Sequence, residues 1–188
     1  MITDRTNQLP PGHEAETIHL IFAFIVSATV WLLIGTLYGL LAAVKLYWPD
    51  VFEVSYLSFG RIRPIHTNLV LIGWSSMAMT GMALYVISRT SKVPLYRPVF
   101  ARIGLIAWNV TMVLAVITLS LGITRGPQEY RELLTPIMAL YAAGLLGIFY
   151  TAYSTVARRK TPEIYVSNWY ILGAFCWLTT IVVIAYLP

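Results

Sequence analysis

The residues of this chain best suited to chemistry stand together in Gly60-Arg61-Ile62-Arg63-Pro64-Ile65-His66-Thr67-Asn68, where two arginines and a proline lead into a histidine. The apolar run Leu69-Val70-Leu71-Ile72-Gly73-Trp74 follows at once, so His66 lies about one turn inside a membrane-spanning segment, beneath a cationic rim. An ionisable side chain at that depth is costly and marks a functional position. Neutral imidazole is a good axial ligand for haem iron. Guanidinium groups form bidentate hydrogen bonds with carboxylates, and haem propionates are carboxylates. The order of residues therefore suits a metal-bearing macrocycle whose carboxylates point outward. The alternatives are a histidine that only hydrogen-bonds a neighbour, and arginines that contact lipid phosphates or loop acids.

The element that must position His66 is a helix. At three-and-four spacing one face of it carries His66, Leu69, Val70, Gly73, Met77, Thr80, Gly81 and Leu84. Gly73 and Gly81 leave flat space, which a porphyrin or a neighbouring helix would use equally well. Gly35 and Gly39, four apart in the preceding apolar run, read as a close helix contact within lipid. Tyr47, Trp48, Trp169 and Tyr170 fall near run boundaries as interfacial anchors, whereas Trp31, Trp74, Trp108 and Trp177 lie deeper, as core or lipid-facing aromatics.

With 58% hydrophobic residues, 11% charged residues and a mean hydropathy of +0.72, the chain departs from soluble usage and reads as an integral membrane protein. Five apolar runs, at 17 to 46, 64 to 88, 102 to 123, 134 to 157 and 164 to 187, approach the ~20 residues that a spanning helix needs. The fold expected is all-α, a polytopic transmembrane bundle of five spans over residues 17–188, behind an N-terminal cytoplasmic tail over 1–16. That tail carries Pro10-Pro11-Gly12 and lacks signal-peptide order, so the first run reads as a span and not a leader. The single cysteine, Cys176, falls in the fifth run and is paired with no base.

The formal charge of +5 records topology and implies no nucleic-acid partner. Arg89, Lys92, Arg97, Arg102, Arg158, Arg159 and Lys160 flank the loops on one side. The opposite loops mix Lys45, Arg61, Arg63, Arg125 and Arg131 with Asp50, Glu53, Glu129 and Glu132. The purely basic side is expected to be cytoplasmic, so the protein is expected to be integral to the inner (cytoplasmic) membrane with its N-terminus in the cytoplasm and its C-terminus on the outer face. Helices two to five hold no clear mid-membrane acid or base, so a free-standing ion transporter is not expected. Nor is there a phosphate-binding glycine loop or a zinc-spacing cluster.

The stretch Phe59 to Asn68 resembles the second-helix signature of haem-copper oxidase catalytic subunits, in the branch of C-family oxygen reductases and nitric oxide reductases. The resemblance extends to Gly126-Pro127-Gln128-Glu129-Tyr130-Arg131-Glu132 and to Ile164-Tyr165-Val166-Ser167-Asn168-Trp169-Tyr170, and covers nearly all of the chain after its tail. It implies that His66 is an axial ligand of a low-spin haem b, and that Arg63, with Arg61, holds propionates. It implies that Glu129 helps bind calcium, for which a carboxylate oxygen is suited, with Glu132 as a nearby second acid. The activity implied is that of a respiratory terminal oxidase, with electrons passing from cytochrome c toward a haem-copper site that reduces dioxygen. A nitric oxide reductase portion and a non-haem structural or assembly subunit are the alternatives.

Family catalytic subunits have about a dozen helices, and the copper ligands, the high-spin haem ligand and the second low-spin haem ligand belong to later ones. None of these can be assigned here, so the chain is expected to be a split or partial subunit that is not catalytic alone. His13 and His19 precede or begin the first run. At ~1.5 Å of rise per residue, His19 lies most of a bilayer away from His66. The expected partners are a companion membrane chain carrying the remaining helices, c-type cytochrome subunits and the lipid membrane.

Overall fold

A computed structural model describes residues 11–126, 128 and 130–186, with no strand among the described residues. The helices are α1 (Pro11–Tyr47), α2 (Phe59–Asn68), α3 (Met77–Ser91), α4 (Pro98–Leu121), α5 (Thr135–Ala157) and α6 (Val166–Tyr186). A π-helical segment, Leu69–Ser76, joins α2 and α3 into one continuous rod, so five helical rods are long and apolar enough to span a membrane. The five expected spans are therefore present, with shifted ends.

The shifts have local causes. α1 begins upstream of the apolar run, where Glu14 and Glu16 pair with Arg89 at 3.3 Å and Arg102 at 2.9 Å. Acidic residues suit the positive end of a helix, although exposed ion pairs contribute only about 0–1 kcal/mol each. The second rod starts at Phe59, five residues before the expected Pro64. Proline breaks one helical hydrogen bond by lacking an N–H, but the carbonyl it leaves unpaired belongs to Gly60, which is exposed at the helix entrance. α4 stops at Leu121 because Gly122 adopts φ +77°, and the N–H groups of Gly122 and Ile123 return to the carbonyls of Leu119 and Thr118. That pairing is a Schellman cap, which favours glycine at the left-handed position.

α1 runs antiparallel to the α2–α3 rod along a seam of small residues. A Cβ at Gly35 would lie 3.1 Å from Leu69 Cβ, one at Gly73 would lie 3.0 Å from Trp31 Cβ, and one at Gly81 would lie 2.9 Å from Phe24 Cβ. The flat space beside Gly73 and Gly81 is thus filled by α1, not left for a macrocycle. Leu69, Met77 and Leu84 on the same face are fully buried, so the expected stripe is the packing face of the rod. Trp31 and Trp108 belong to this core, while Trp74 and Trp177 face outward.

The π segment opens the ladder between His66 and α3, and side chains take up the loosened carbonyls. Trp108 Nε1 donates to the Ile72 carbonyl at 3.2 Å, and Ser76 Oγ to that of Leu71 at 2.8 Å. Without water in the hydrocarbon, such groups must be satisfied internally. Nearby, Trp31 Nε1 donates to Asn109 Oδ1 at 2.9 Å, and Asn109 Nδ2 reaches Ser27 Oγ at 3.4 Å. These bonds fix α1 and α4 beside the seam.

α4 and α5 share the most extensive interface, where a Cβ at Gly104 would sit 2.6 Å from the Gly144 carbonyl oxygen. Backbone cannot yield as a flexible side chain can. Replacing Gly104 with valine is therefore expected to destabilise the bundle by about 1–3 kcal/mol, measured as unfolding of the detergent-solubilised chain. Gly60→Ala is the matched control, because a Cβ there meets nothing within 4 Å; equal losses in both variants would refute the close-contact account.

Candidate functional site

His66 lies on the face of α2 that meets α1. Its Nδ1 is 2.7 Å from the Gly35 carbonyl oxygen, and a Cβ on Gly39 would lie 2.6 Å from both Nδ1 and Cε1. The two glycines of α1 therefore act in different ways on one ring: Gly39 lets its edge reach the α1 backbone, and Gly35 offers an acceptor there. A carbonyl can only accept, so this contact assigns a proton to Nδ1, and in the neutral imidazole the lone pair is then on Nε2. Nε2 makes no hydrogen bond among the described residues. An imidazole held by its other nitrogen on a backbone carbonyl has the arrangement that orients metal-ligating histidines.

The two arginines leave α2 in different directions. Arg63 is three residues before His66, hence its neighbour on the helix surface, and is exposed at the rim. Its carbonyl accepts the Thr67 hydroxyl at 2.9 Å. Arg61 turns to α4, where Nη1 donates to the Ser120 carbonyl at 2.9 Å and the guanidinium packs over Gly122. A cation at a helix C-terminus is favourable by about 0.3–1 kcal/mol. Arg61 thus joins α2 to the end of α4.

Asn68, two residues beyond His66 and on the far side of the helix, is buried. Its Nδ2 donates to the Pro64 carbonyl at 2.9 Å and reaches Glu132 Oε2 at 3.5 Å. The backbone N–H of Arg125 donates to the Glu132 carbonyl at 2.9 Å, and the Arg125 guanidinium lies 5.1 Å from the Tyr186 ring centroid. Arg125 and Glu132 thereby link α2 to the end of α6. Glu129, the residue expected to bind calcium, lies outside the described residues.

Sequence reasoning located His66 but not what holds it. The signal was present in Gly35 and Gly39, which read only as a helix contact; Asn68 was within the motif without a role. Among the described residues, no group of three or more His, Cys, Asp or Glu could hold a metal ion. His19 is sixteen residues before Gly35 on the same helix, roughly 24 Å along its axis.

The donor set fits a haem. One imidazole nitrogen is anchored and the other retains its lone pair, at a depth where a polar ring without a function would be costly.

The sequence model of the family described as cytochrome C and quinol oxidase polypeptide I matches residues 19–188. The chain is 35% identical over 153 residues to the Cbb3-type cytochrome c oxidase subunit CcoN1 of Stutzerimonas stutzeri, covering 81% of this chain and 32% of that protein. It is 32% identical over 171 residues to the cytochrome c oxidase subunit 1 homolog of Agrobacterium tumefaciens, covering 87% of this chain and 30% of the relative. A cytochrome c oxidase subunit 1 from Rhodobacter capsulatus is 31% identical over 158 residues, covering 82% of this chain and 30% of its own. The chain spans about a third of the length of these relatives. An anchored histidine in a five-rod apolar bundle, joined to a match over nearly the whole sequence, makes this chain a member of the cytochrome c and quinol oxidase polypeptide I family, the subunit I of haem-copper oxidases.

Proposed function

We propose that this chain supplies one side of a low-spin haem b site to a respiratory haem-copper oxidase, with His66 as axial ligand. The observation that carries the reading is the 2.7 Å contact between His66 Nδ1 and the Gly35 carbonyl. That bond puts a proton on Nδ1, which in the neutral ring makes Nε2 the ligand atom and raises its basicity. Gly39 sets how closely the ring approaches α1. Arg63, beside His66 at the rim, is the principal propionate partner; Arg61 adds positive charge from its seat on α4. When bound, haem b supplies a one-electron iron carrier whose potential depends on its axial ligands, burial and neighbouring charge.

The second axial ligand, the high-spin haem and the copper belong to a companion segment carrying the remaining helices. Electrons arrive from c-type cytochrome subunits at the face bearing Arg61, Arg63 and Glu132, and pass inward to the site where dioxygen is reduced. The relatives' names, all cytochrome c oxidases, favour this reaction over nitric oxide reduction. The uniformly basic loops lie toward the cytoplasm, so the N-terminus is inside and the electron-receiving face outside the cytoplasmic membrane. Glu129 binds calcium there.

Three measurements test the reading. In the assembled complex, His66→Ala is expected to abolish the low-spin haem b signal in the reduced-minus-oxidised spectrum; an unchanged signal with unchanged haem content would refute ligation and leave a structural histidine. Gly39→Ala places a methyl where the imidazole edge lies. It is expected to weaken haem retention about tenfold and to shift the haem midpoint potential while the bundle stays helical. If haem content and potential match the unsubstituted complex, the ring is not held by α1. Glu129→Gln is expected to lower bound calcium in metal analysis, and equal calcium in both forms would exclude that role.

A further inference from the structure

Asn109 stands at the midpoint of α4, and Ser27 and Trp31 lie near the middle of the apolar part of α1, so their polar atoms meet within the hydrocarbon layer. A carboxamide there is costly unless both its oxygen and its nitrogen are bonded. Asn109 meets that requirement. Its Oδ1 accepts the Trp31 indole N–H at 2.9 Å, while Nδ2 donates to the Leu105 carbonyl at 2.9 Å and reaches Ser27 Oγ at 3.4 Å. An indole N–H can only donate, so the atom facing it must be the amide oxygen. The preceding residue, Trp108, is turned about 100° around the same helix, and its indole N–H donates to the Ile72 carbonyl at 3.2 Å. Two successive residues of α4 thus grip both partners of the seam, α1 through Trp31 and the α2–α3 rod through Ile72.

This grip acts one turn away from the contact that holds His66. A Cβ on Gly73 would lie 3.0 Å from Trp31 Cβ and 3.3 Å from Met112 Sδ, so α1, the rod and α4 all meet at that level. The next turn of α1 brings Gly35, whose carbonyl is 2.7 Å from His66 Nδ1, and the turn after it brings Gly39, at the ring itself. N–H···O bonds extend to about 3.2 Å, so a slide of about half an ångström between the helices would loosen this one. Lipid supplies no hydrophobic force to keep α1 in register, which leaves packing and bonds such as Trp31–Asn109 to do so. We infer that Asn109 is a positioning residue for the haem ligand: through Trp31 it holds α1 in the register at which the Gly35 carbonyl accepts the hydrogen bond from His66 Nδ1, while Trp108 fixes the opposing rod. This role rests on His66 being the haem ligand proposed above, and it adds what sets the strength of that ligand's outer hydrogen bond. Loosening the bond makes the imidazole a poorer electron donor, which favours ferrous over ferric iron.

The test is a redox titration of the low-spin haem in the assembled complex, together with its electron paramagnetic resonance g values, which report the orientation of the axial ring. Asn109→Leu, close in shape but without polar atoms, and Trp31→Phe, without the indole donor, are each expected to raise the ferrous-to-ferric ratio at a fixed potential about threefold, the size of one interhelical hydrogen bond in lipid. Both should also shift the g values. The double variant is expected to move the ratio no further than either single one, because the same bond is lost in all three. Thr111→Val removes a hydroxyl of α4 that bonds back to the Ala107 carbonyl at 2.9 Å, and it should leave ratio and g values unchanged. An unmoved ratio and unmoved g values in Trp31→Phe, additive shifts in the double variant, or an equal shift in Thr111→Val would each overturn the inference. So would an Asn109→Leu complex that loses thermal stability and keeps its potential, which would make Asn109 a packing residue only. If Asn109→Leu does not assemble, Trp31→Phe decides alone. Loss of the low-spin signal in His66→Ala with an unmoved potential in Trp31→Phe would reject the clamp and keep the ligand, whereas a persisting signal in His66→Ala would reject the ligand and the clamp with it.

Discussion

The close approach of α1 to the α2–α3 rod is the constraint on which the rest of this structure depends. In lipid there is no hydrophobic gain from bringing two apolar helices together, so packing contacts and hydrogen bonds must hold them. Gly35, Gly39, Gly73 and Gly81 remove side-chain bulk at successive levels of one seam, from either side, and Trp31 and Phe24 fill the space that Gly73 and Gly81 leave. His66 is part of that seam: its ring occupies the level of Gly39, and its Nδ1 meets a carbonyl one turn away on Gly35. The same contact packs two helices and orients an imidazole.

The polar groups around the seam follow from the absence of water. A π segment immediately after Asn68 loosens the helical ladder, and the Trp108 indole and the Ser76 hydroxyl take up the carbonyls of Ile72 and Leu71. Threonine hydroxyls elsewhere bond back to their own helices, as Thr80 does to the Ser76 carbonyl at 2.8 Å and Thr111 to that of Ala107 at 2.9 Å. The rim near His66 is cross-linked: Arg61, Asn68, Arg125 and Glu132 tie α2 to α4, the α4–α5 loop and α6.

Much of the architecture was legible because membrane insertion acts on local composition. A run of apolar residues long enough to cross a bilayer can do little else, and the five runs became five rods. His66 was legible for a related reason: an imidazole among such residues is costly unless a partner rewards it. The ends of the rods were less legible. α2 starts ahead of Pro64 because the freed carbonyl of Gly60 lies at an exposed position, and that exposure is a property of the packed bundle.

The amino-acid sequence by itself determined the class, the number of spans, the family signature and the residue on which the haem reading turns, since each follows from residue type and local spacing. Only the tertiary structure decided which helix meets which. It turned Gly35 from a packing residue into the acceptor that holds His66, sent Arg61 to α4, and filled the space by Gly73 and Gly81 with α1. These outcomes depend on partners 31 and 59 residues away in the chain, at His66–Gly35 and Arg61–Ser120. Spacing within one helix states which residues share a face; what that face touches is set by the register between helices, and no single helix contains it.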